Sequence, residues 1–188
     1  MGSRERRATR AEWVVHGERS IYENRWLSLN LVDVVSPDGA RFEHHVVRMQ
    51  RVVAAAVLDD SGDELLMMRR HRFIDDSWGW EVPVGIVEAD ETPETAAQRE
   101  VVEETGWSPT SLSHALTFQP AIGIADTPHE VYVGRGAVHV GEPTDVTEAD
   151  EIAWIPLDNI MAMIDDQWIR DGASLVAALH ILASRRDS

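Results

Sequence analysis

The sequence contains no cysteine and no lysine. The first absence removes disulfides, thiolate metal ligands and a cysteine nucleophile together. The second removes Schiff-base chemistry and the GxxxxGK[ST] phosphate loop. All 17 basic residues are therefore arginine, and any cationic contact to a phosphate presents a planar, two-pronged donor set. No apolar run approaches the roughly 18 residues of a membrane span, so no membrane partner is expected. The opening MGSRERRATRAEW has basic residues but no apolar segment behind them, unlike a secretion signal. Residues 1–10 read as a flexible tail, and the expected compartment is the cytoplasm.

Positive charge is scarce as well. Against 33 acidic residues the 17 arginines leave a formal net charge of −16. Binding to a nucleic-acid polymer rests on neutralising many phosphates, so that partner is not expected. A small anionic substrate remains open, but it requires a local cationic bridge, and a divalent metal is the simplest one.

What is present is an ordinary globular core, 44% apolar over 188 residues, with no internal repeat. Short alternating apolar stretches run through 11–35, and SPDG at 36–39 marks a tight turn, so 28–35 and 41–49 read as a hairpin. VVAAAVLDD at 52–60 is a continuous apolar run ending in a DDSGD turn, as expected of a central buried strand, and ELLMMRRHRF follows as another. Further strands are expected near 111–119, 130–138 and 152–155. LDNIMAMI and DGASLVAALHILASRR have helical spacing, with Asp158 and either Asp171 or Ser174 near the helix starts. A stripe of Leu175, Ala178, Leu179 and Leu182 is expected to face the core or an interface. Strands flanked by two or three helices give a mixed α/β layered domain.

The segment GIVEADETPETAAQREVVEETGW, 85–107, concentrates carboxylates. Thr92 suits an N-cap, Pro93 the first helical position and Gly106 the end, which predicts a helix over 93–105. Wound at about 100° per residue from Ala97, Val101 falls near +40°, Glu104 near −20°, Glu100 near −60° and Glu103 near −120°. Glu104 thus lies within the apolar stripe and Glu100 at its edge. A merely solvated acidic face belongs on the opposite side. Carboxylates crowded and desolvated in this way repel, and a hard cation with oxygen ligands, Mg²⁺ or Mn²⁺, removes the conflict. On helix geometry alone, metal binding and a bland acidic face both stay open.

The spacing goes further. Gly85, Glu91, Arg99, Glu100, Val101, Glu103, Glu104, Gly106 and Trp107 match G-x5-E-x7-R-E-U-x-E-E-x-G-U, with U aliphatic or aromatic, at every fixed position. With each fixed type at roughly 5–7% usage, a chance match is on the order of one in a billion per start point. The sequence resembles the Nudix hydrolases over most of its length. The resemblance implies a Nudix-type α/β/α sandwich with a mixed central sheet at 51–188, preceded by an antiparallel strand region at 11–50. That region would build a homodimer.

The resemblance also implies Mg²⁺-dependent hydrolysis of a nucleoside diphosphate linked to another moiety. Glu100 and Glu104 would be the principal metal ligands, Glu103 a further ligand or catalytic carboxylate, and the Val84 carbonyl a neighbour of the metals. Arg99 and Glu91 would fix the loop on the helix, Gly85 would permit its turn, and Gly106 would end the helix. A general base is expected in TEADEIAW, with Glu148 first, then Glu151 and Asp150. WEVPVG and MMRRHRF resemble segments of the ADP-ribose and nucleotide-sugar pyrophosphatases. They make Arg72 a phosphate contact, with Arg48 and Arg51 beside it in the pool and Arg69 and Arg70 ranked lower. Pro120, thirteen residues beyond Trp107, is near the position of a proline associated with ADP-ribose hydrolysis, although AIGIAD follows it where that group has a glycine. An aromatic platform for the base is expected, with Trp26 and then Tyr22 as its candidates. ADP-ribose, cleaved to AMP and ribose 5-phosphate, is the first substrate. Other nucleotide sugars, dinucleotides, triphosphates and a non-catalytic sensor of such ligands are the rivals. The histidines show no metal-ligand spacing, and no GxSxG elbow supports serine catalysis.

Overall fold

The structure, a computed structural model, describes residues 12–145 and 149–186; the expected tail at 1–10 and the expected base Glu148 lie outside the described residues. In chain order the strands are β1 (Val14–Glu23), β2 (Leu27–Val35), β3 (Arg41–Met49), β4 (Val52–Leu58), β5 (Glu64–Arg72), β6 (Ser77–Glu81) and β7 (Val84–Ile86). After helix α1 (Pro93–Thr105) come β8 (Trp107–Pro109), β9 (Leu112–Phe118), β10 (Ala125–Asp126), β11 (His129–Arg135), β12 (Ala137–His139) and β13 (Glu151–Pro156). Helices α2 (Leu157–Asp165) and α3 (Gly172–Arg186) follow. No described helix is long and apolar enough to cross a membrane.

The described chain divides into two compact units, one of residues up to 49 with 121–126, the other of 50–120 with 127 onward. In the first unit β1, β2 and β3 form an antiparallel meander, and β10 adds in parallel beside β3. The SPDG turn closes the β2–β3 hairpin as expected, with Gly39 at φ 90° and its N–H donating to the Ser36 carbonyl at 2.8 Å. β2 alternates, burying Asn30, Val32 and Val34, whereas β1 is exposed along its whole length.

In the second unit VVAAAVL forms β4 at the centre of a mixed sheet ordered β13-β5-β4-β11-β9, with β6 on β5 and β7 on β4. β11 runs parallel to β4 and β7 antiparallel to it. β4 is apolar at every position because both of its faces are covered. Val53, Ala55 and Val57 pack with Ala96, Ala97 and Val101 of α1, while Ala54 and Ala56 pack with Ala177, Ala178 and Ile181 of α3. Three consecutive alanines at the centre let a helix approach from each side. The result is an α/β/α sandwich with a mixed sheet.

One expectation is corrected and one holds in part. The segment 130–138 is not one strand: Gly136 takes φ 78°, ends β11, and sends 137–139 to pair with β8. The α3 stripe expected at the core or an interface holds in part: Ala178 is buried and Leu175 and Leu182 pack against the core, alongside Ala173, Ser174, Ala177 and Ile181, while Leu179 is 44% exposed. Small residues face inward there because α3 lies on the alanines of β4. Of the two expected starts for α3, Asp171 is the cap, its Oδ2 accepting from the Ser174 N–H at 2.8 Å and hydroxyl at 2.9 Å.

The turn after β4 is built on one carboxylate. Asp59 Oδ1 accepts from the N–H groups of Gly62, Asp63 and Glu64, and Oδ2 from the Ser61 N–H and hydroxyl. The Ser61 hydroxyl and these backbone donors hold the Asp59 carboxyl well below the usual carboxylate range. A depressed carboxyl contributes stability above its unfolded pKa and loses it as pH falls towards the folded value. Asp59→Ala is therefore expected to cost about 1–2 kcal/mol near neutrality in urea unfolding. The gap to wild type should narrow once the pH drops below about 4. A gap that stays constant into acid contradicts this role.

Candidate active site

Helix α1 spans 93–105, the limits its caps dictate. Thr92 Oγ1 accepts from the Thr95 N–H at 3.2 Å, Pro93 opens the first turn, and Gly106 closes the last at φ 72° with its N–H on the Val102 carbonyl. A Cβ on Gly106 would also strike the Gly141 carbonyl. The buried face is Ala96, Ala97, Val101, Glu104 and Thr105. Glu104, 3% exposed, thus sits inside the apolar stripe, where the winding of the sequence puts it.

A buried carboxylate needs partners, and Glu104 has one for each oxygen. Arg70, itself 6% exposed on β5, donates to Oε1 at 3.2 Å. The Val84 N–H donates to Oε2 at 3.1 Å, so the described link between Val84 and the carboxylates runs through its N–H. Even so, burial pushes the Glu104 carboxyl up to about 7, with the neighbouring Glu100 charge adding to the rise and Arg70 opposing it. Burial also raises Glu100, against the pull of Arg99.

Arg99 ties the preceding loop to the helix. Its Nε and Nη2 grip both oxygens of Glu91 at 3.2 and 2.7 Å, and Nη2 also reaches the Ile86 carbonyl at 3.1 Å. Nη1 bonds Glu100 at 2.7 Å and Glu103 at 3.0 Å. Glu91 in turn accepts from the Glu88 N–H, and Arg99 holds its carboxyl below the usual range. Glu103 has 43% of its side chain exposed, and its carbonyl accepts from the N–H groups of Thr144 and Asp145. A Cβ on Gly85 would land on the Glu100 carboxyl, so a side chain there displaces that carboxyl from its place beside Arg99.

Four carboxylates, Glu91, Glu100, Glu103 and Glu104, thus share two guanidinium groups, and two formal negative charges are left over when all are ionised. Among the described residues no three His, Asp or Glu side chains stand as a ready-made metal cage; Arg70 holds one oxygen of Glu104, and Arg99 holds one of Glu100 and one of Glu103. The donor set is all oxygen, charge-rich and partly buried, which suits a hard divalent cation.

The other residues named from the sequence are placed as follows. Arg51 pairs with Glu130 at 3.3 Å. Arg72 forms a two-pronged pair with the buried Glu81. Arg69 bonds Asp150 at 3.0 Å and lies over Trp78. Glu151 is exposed at the start of β13, opposite Arg69 in the ladder. The described partners of Glu100, Glu103 and Glu104 include neither Asp150 nor Glu151. In the first unit Arg48 is held by Glu18 at 2.7 Å and Asp126 at 2.9 Å, and Trp26 is half exposed with Arg25 over its ring at 4.2 Å. Tyr22 is exposed, its hydroxyl accepting from Asn24, and Pro120 is exposed. Sequence reasoning weighed Arg70 only as a phosphate contact and missed its pairing with Glu104. Its signal was position: it follows Leu66 and Met68 at strand spacing, and Leu66 faces the α1 side of the sheet.

Gly85→Ala is expected to drive the Glu100 carboxyl off Arg99 and to lower stability by about 1–3 kcal/mol in urea unfolding. An unchanged midpoint contradicts the close approach.

Comparisons with known proteins agree with this loop–helix. The family model described as the NUDIX domain matches residues 49–175. The chain is 44% identical over 152 residues to a CMP-5'-(N-acetyl-N-hydroxy-3-aminopropyl)phosphonate hydrolase of Streptomyces rubellomurinus, covering 81% of this chain and 73% of that protein. It is 24% identical to an ADP-ribose pyrophosphatase of Bacillus subtilis, covering 87% and 89%. In fold it matches the crystal structure of an ADP compounds hydrolase with a TM-score of 0.80 over 94% of this chain and 95% of that one, at 17% identity. An unbroken nine-position signature, folded into a glycine turn latched by arginine to a carboxylate helix, and a family match over most of the chain have one reading: the chain belongs to the Nudix family and is a Nudix hydrolase.

Proposed function

We propose that the enzyme hydrolyses the P–O–P linkage of a nucleoside 5'-diphosphate-type compound joined to a second organic moiety, using Mg²⁺ or Mn²⁺. The observation that carries this is the buried Glu104 beside Glu100 on a helix whose loop is latched by Arg99. ADP-ribose, giving AMP and ribose 5-phosphate, is the first substrate, supported by likeness to ADP-ribose pyrophosphatase. The 44% identity to a hydrolase of a CMP-linked phosphonate favours a second one, a nucleotide joined to a phosphonate.

Glu100 and Glu104, with Glu103, would hold the cation, and the surplus negative charge and the rise in both buried carboxyls are what a cation there relieves. When bound, it supplies charge neutralisation at the pyrophosphate and acidifies the attacking water. The chain supplies position. Arg70 and the Val84 N–H fix the Glu104 carboxylate, and Arg99 keeps the Gly85–Glu91 loop against the helix. Glu148, or Glu151 after it, takes the proton of the water, with Glu103 the alternative within the helix. Arg51 and Arg72, with Arg48, Trp26 and Pro120, are proposed substrate contacts.

Turnover of ADP-ribose, the CMP-linked phosphonate, GDP-mannose, UDP-glucose, NADH, diadenosine polyphosphates and oxidised dGTP tests the assignment. One of the first two is expected to lead with Mg²⁺ and to stop with EDTA. Glu104→Gln should lower kcat by about 100-fold or more, the upper range seen for groups that merely support metal ligands. Undiminished turnover in Glu104→Gln sinks the metal assignment, and equal use of GDP-mannose sinks the narrower substrate class. The strand region 11–50 is further proposed to join two copies, on the exposed Trp13, Val15, Ile21 and Tyr22 of and beside the fully exposed β1. Light scattering should then give twice the chain mass, and a monomer at micromolar concentration contradicts it.

A further inference from the structure

The second unit carries a cleft of about 340 Å³, lined among others by Arg72, Ile74, Asp75, Glu81, Arg170 and Asp171. Three segments build it. Arg72 ends β5, two residues beyond Arg70, on the same face and about 7 Å along the strand. Glu81 ends β6, just before the Val82–Val84 turn that leads to Gly85. Arg170 and Asp171 come from the loop before α3, which is tied to β6 by the Trp80 N–H on the Trp168 carbonyl at 2.7 Å. The cleft therefore opens off the strand that presents Arg70 to Glu104. Charge agrees, because Arg72 feels both Asp171 and Glu104.

The polar edges facing this cleft are only half used. Arg72 spends Nε and Nη2 on Glu81, which leaves Nη1 without a described protein partner. Arg170 spends Nη2 on Asp75 at 2.9 Å, which leaves Nε and Nη1. Asp171 caps α3 through Oδ2 alone, so Oδ1 is available as an acceptor. Asp75 is engaged at both oxygens, by Ser77 and Arg170. Three carboxylates against two guanidinium groups give the lining one surplus negative charge, which disfavours a further anion. Open donors beside an open acceptor suit a neutral group that both accepts hydrogen bonds and donates from hydroxyl.

Resting on the hydrolase reading above, we propose that this cleft is the subsite for the uncharged end of the substrate's non-nucleotide half, beyond its phosphorus group. Arg170 is its specificity-determining residue, and a neutral hydroxyl-bearing group is its ligand. A pentose diol and an N-hydroxy amide share that chemistry. Ile74, 84% exposed at the rim, is the residue whose enlargement closes the cleft without disturbing a core.

The test is calorimetric binding in EDTA, so that affinity is read without turnover. Each whole substrate, ADP-ribose or the CMP-linked phosphonate, is compared with its nucleotide half, AMP or CMP. Arg170→Ala and Ile74→Trp are each expected to weaken the whole substrate about tenfold and to leave the nucleoside monophosphate within twofold. The substrate that loses affinity tells diol from N-hydroxy amide. Unchanged affinity in both variants overturns the subsite, as does parallel weakening of AMP or CMP, or no binding of either whole substrate to wild type. Turnover by wild type alongside any of these results leaves the hydrolase reading standing, while loss of that reading shows separately as no turnover across the panel.

Discussion

Everything in the catalytic half of this chain turns on one buried carboxylate. Glu104 faces the same apolar layer as Ala97 and Val101, and it stays there because Arg70 and the Val84 N–H each take one oxygen. That single requirement couples three elements. β5 must deliver a buried arginine, β7 must turn its N–H inward, and α1 must present the glutamate on its core side. Burial still raises the carboxyl to about 7, so the protein bonds fall short of replacing water. That shortfall is the physical ground for the cation proposed at this position.

Arg99 solves a different problem with the same chemistry. It binds three carboxylates and one carbonyl, and so fixes a loop that has little hydrophobic content of its own. In a chain without lysine this is the arginine role at its most demanding, since a point-charge ammonium lacks the fork that spans Glu91 and Glu100. Gly85 belongs to the same design, for its bare Cα leaves the Glu100 carboxyl room to stay on Arg99.

How much was readable in advance follows from how local each feature is. The limits of α1 were legible because Thr92, Pro93 and Gly106 act within one turn, and the hairpin at 36–39 for the same reason. The place of Glu104 was legible because helical phase is a property of the segment alone. Arg70 was hard to rank because β5 is buried on both faces, so Leu65 to Met68 show no alternation to mark its side. The inward face of α3 was legible only in part, because the alanines and the serine that pack on the alanines of β4 carry little hydrophobic signal of their own. The addition of 125–126 to β3 and the break at Gly136 depend on distant pairing and on one backbone torsion, which composition does not encode. The substrate lies furthest from the sequence, since the cleft proposed for part of it joins β5, β6 and the loop before α3.

Binding of Mn²⁺, followed by electron paramagnetic resonance, tests the central claim most directly, because it reads the cation site without substrate or turnover. Wild type should bind Mn²⁺, and Glu104→Gln should bind it at least about tenfold more weakly, as loss of a ligand demands. Equal affinity in the two proteins would contradict the claim that this buried carboxylate is held in place to take a metal.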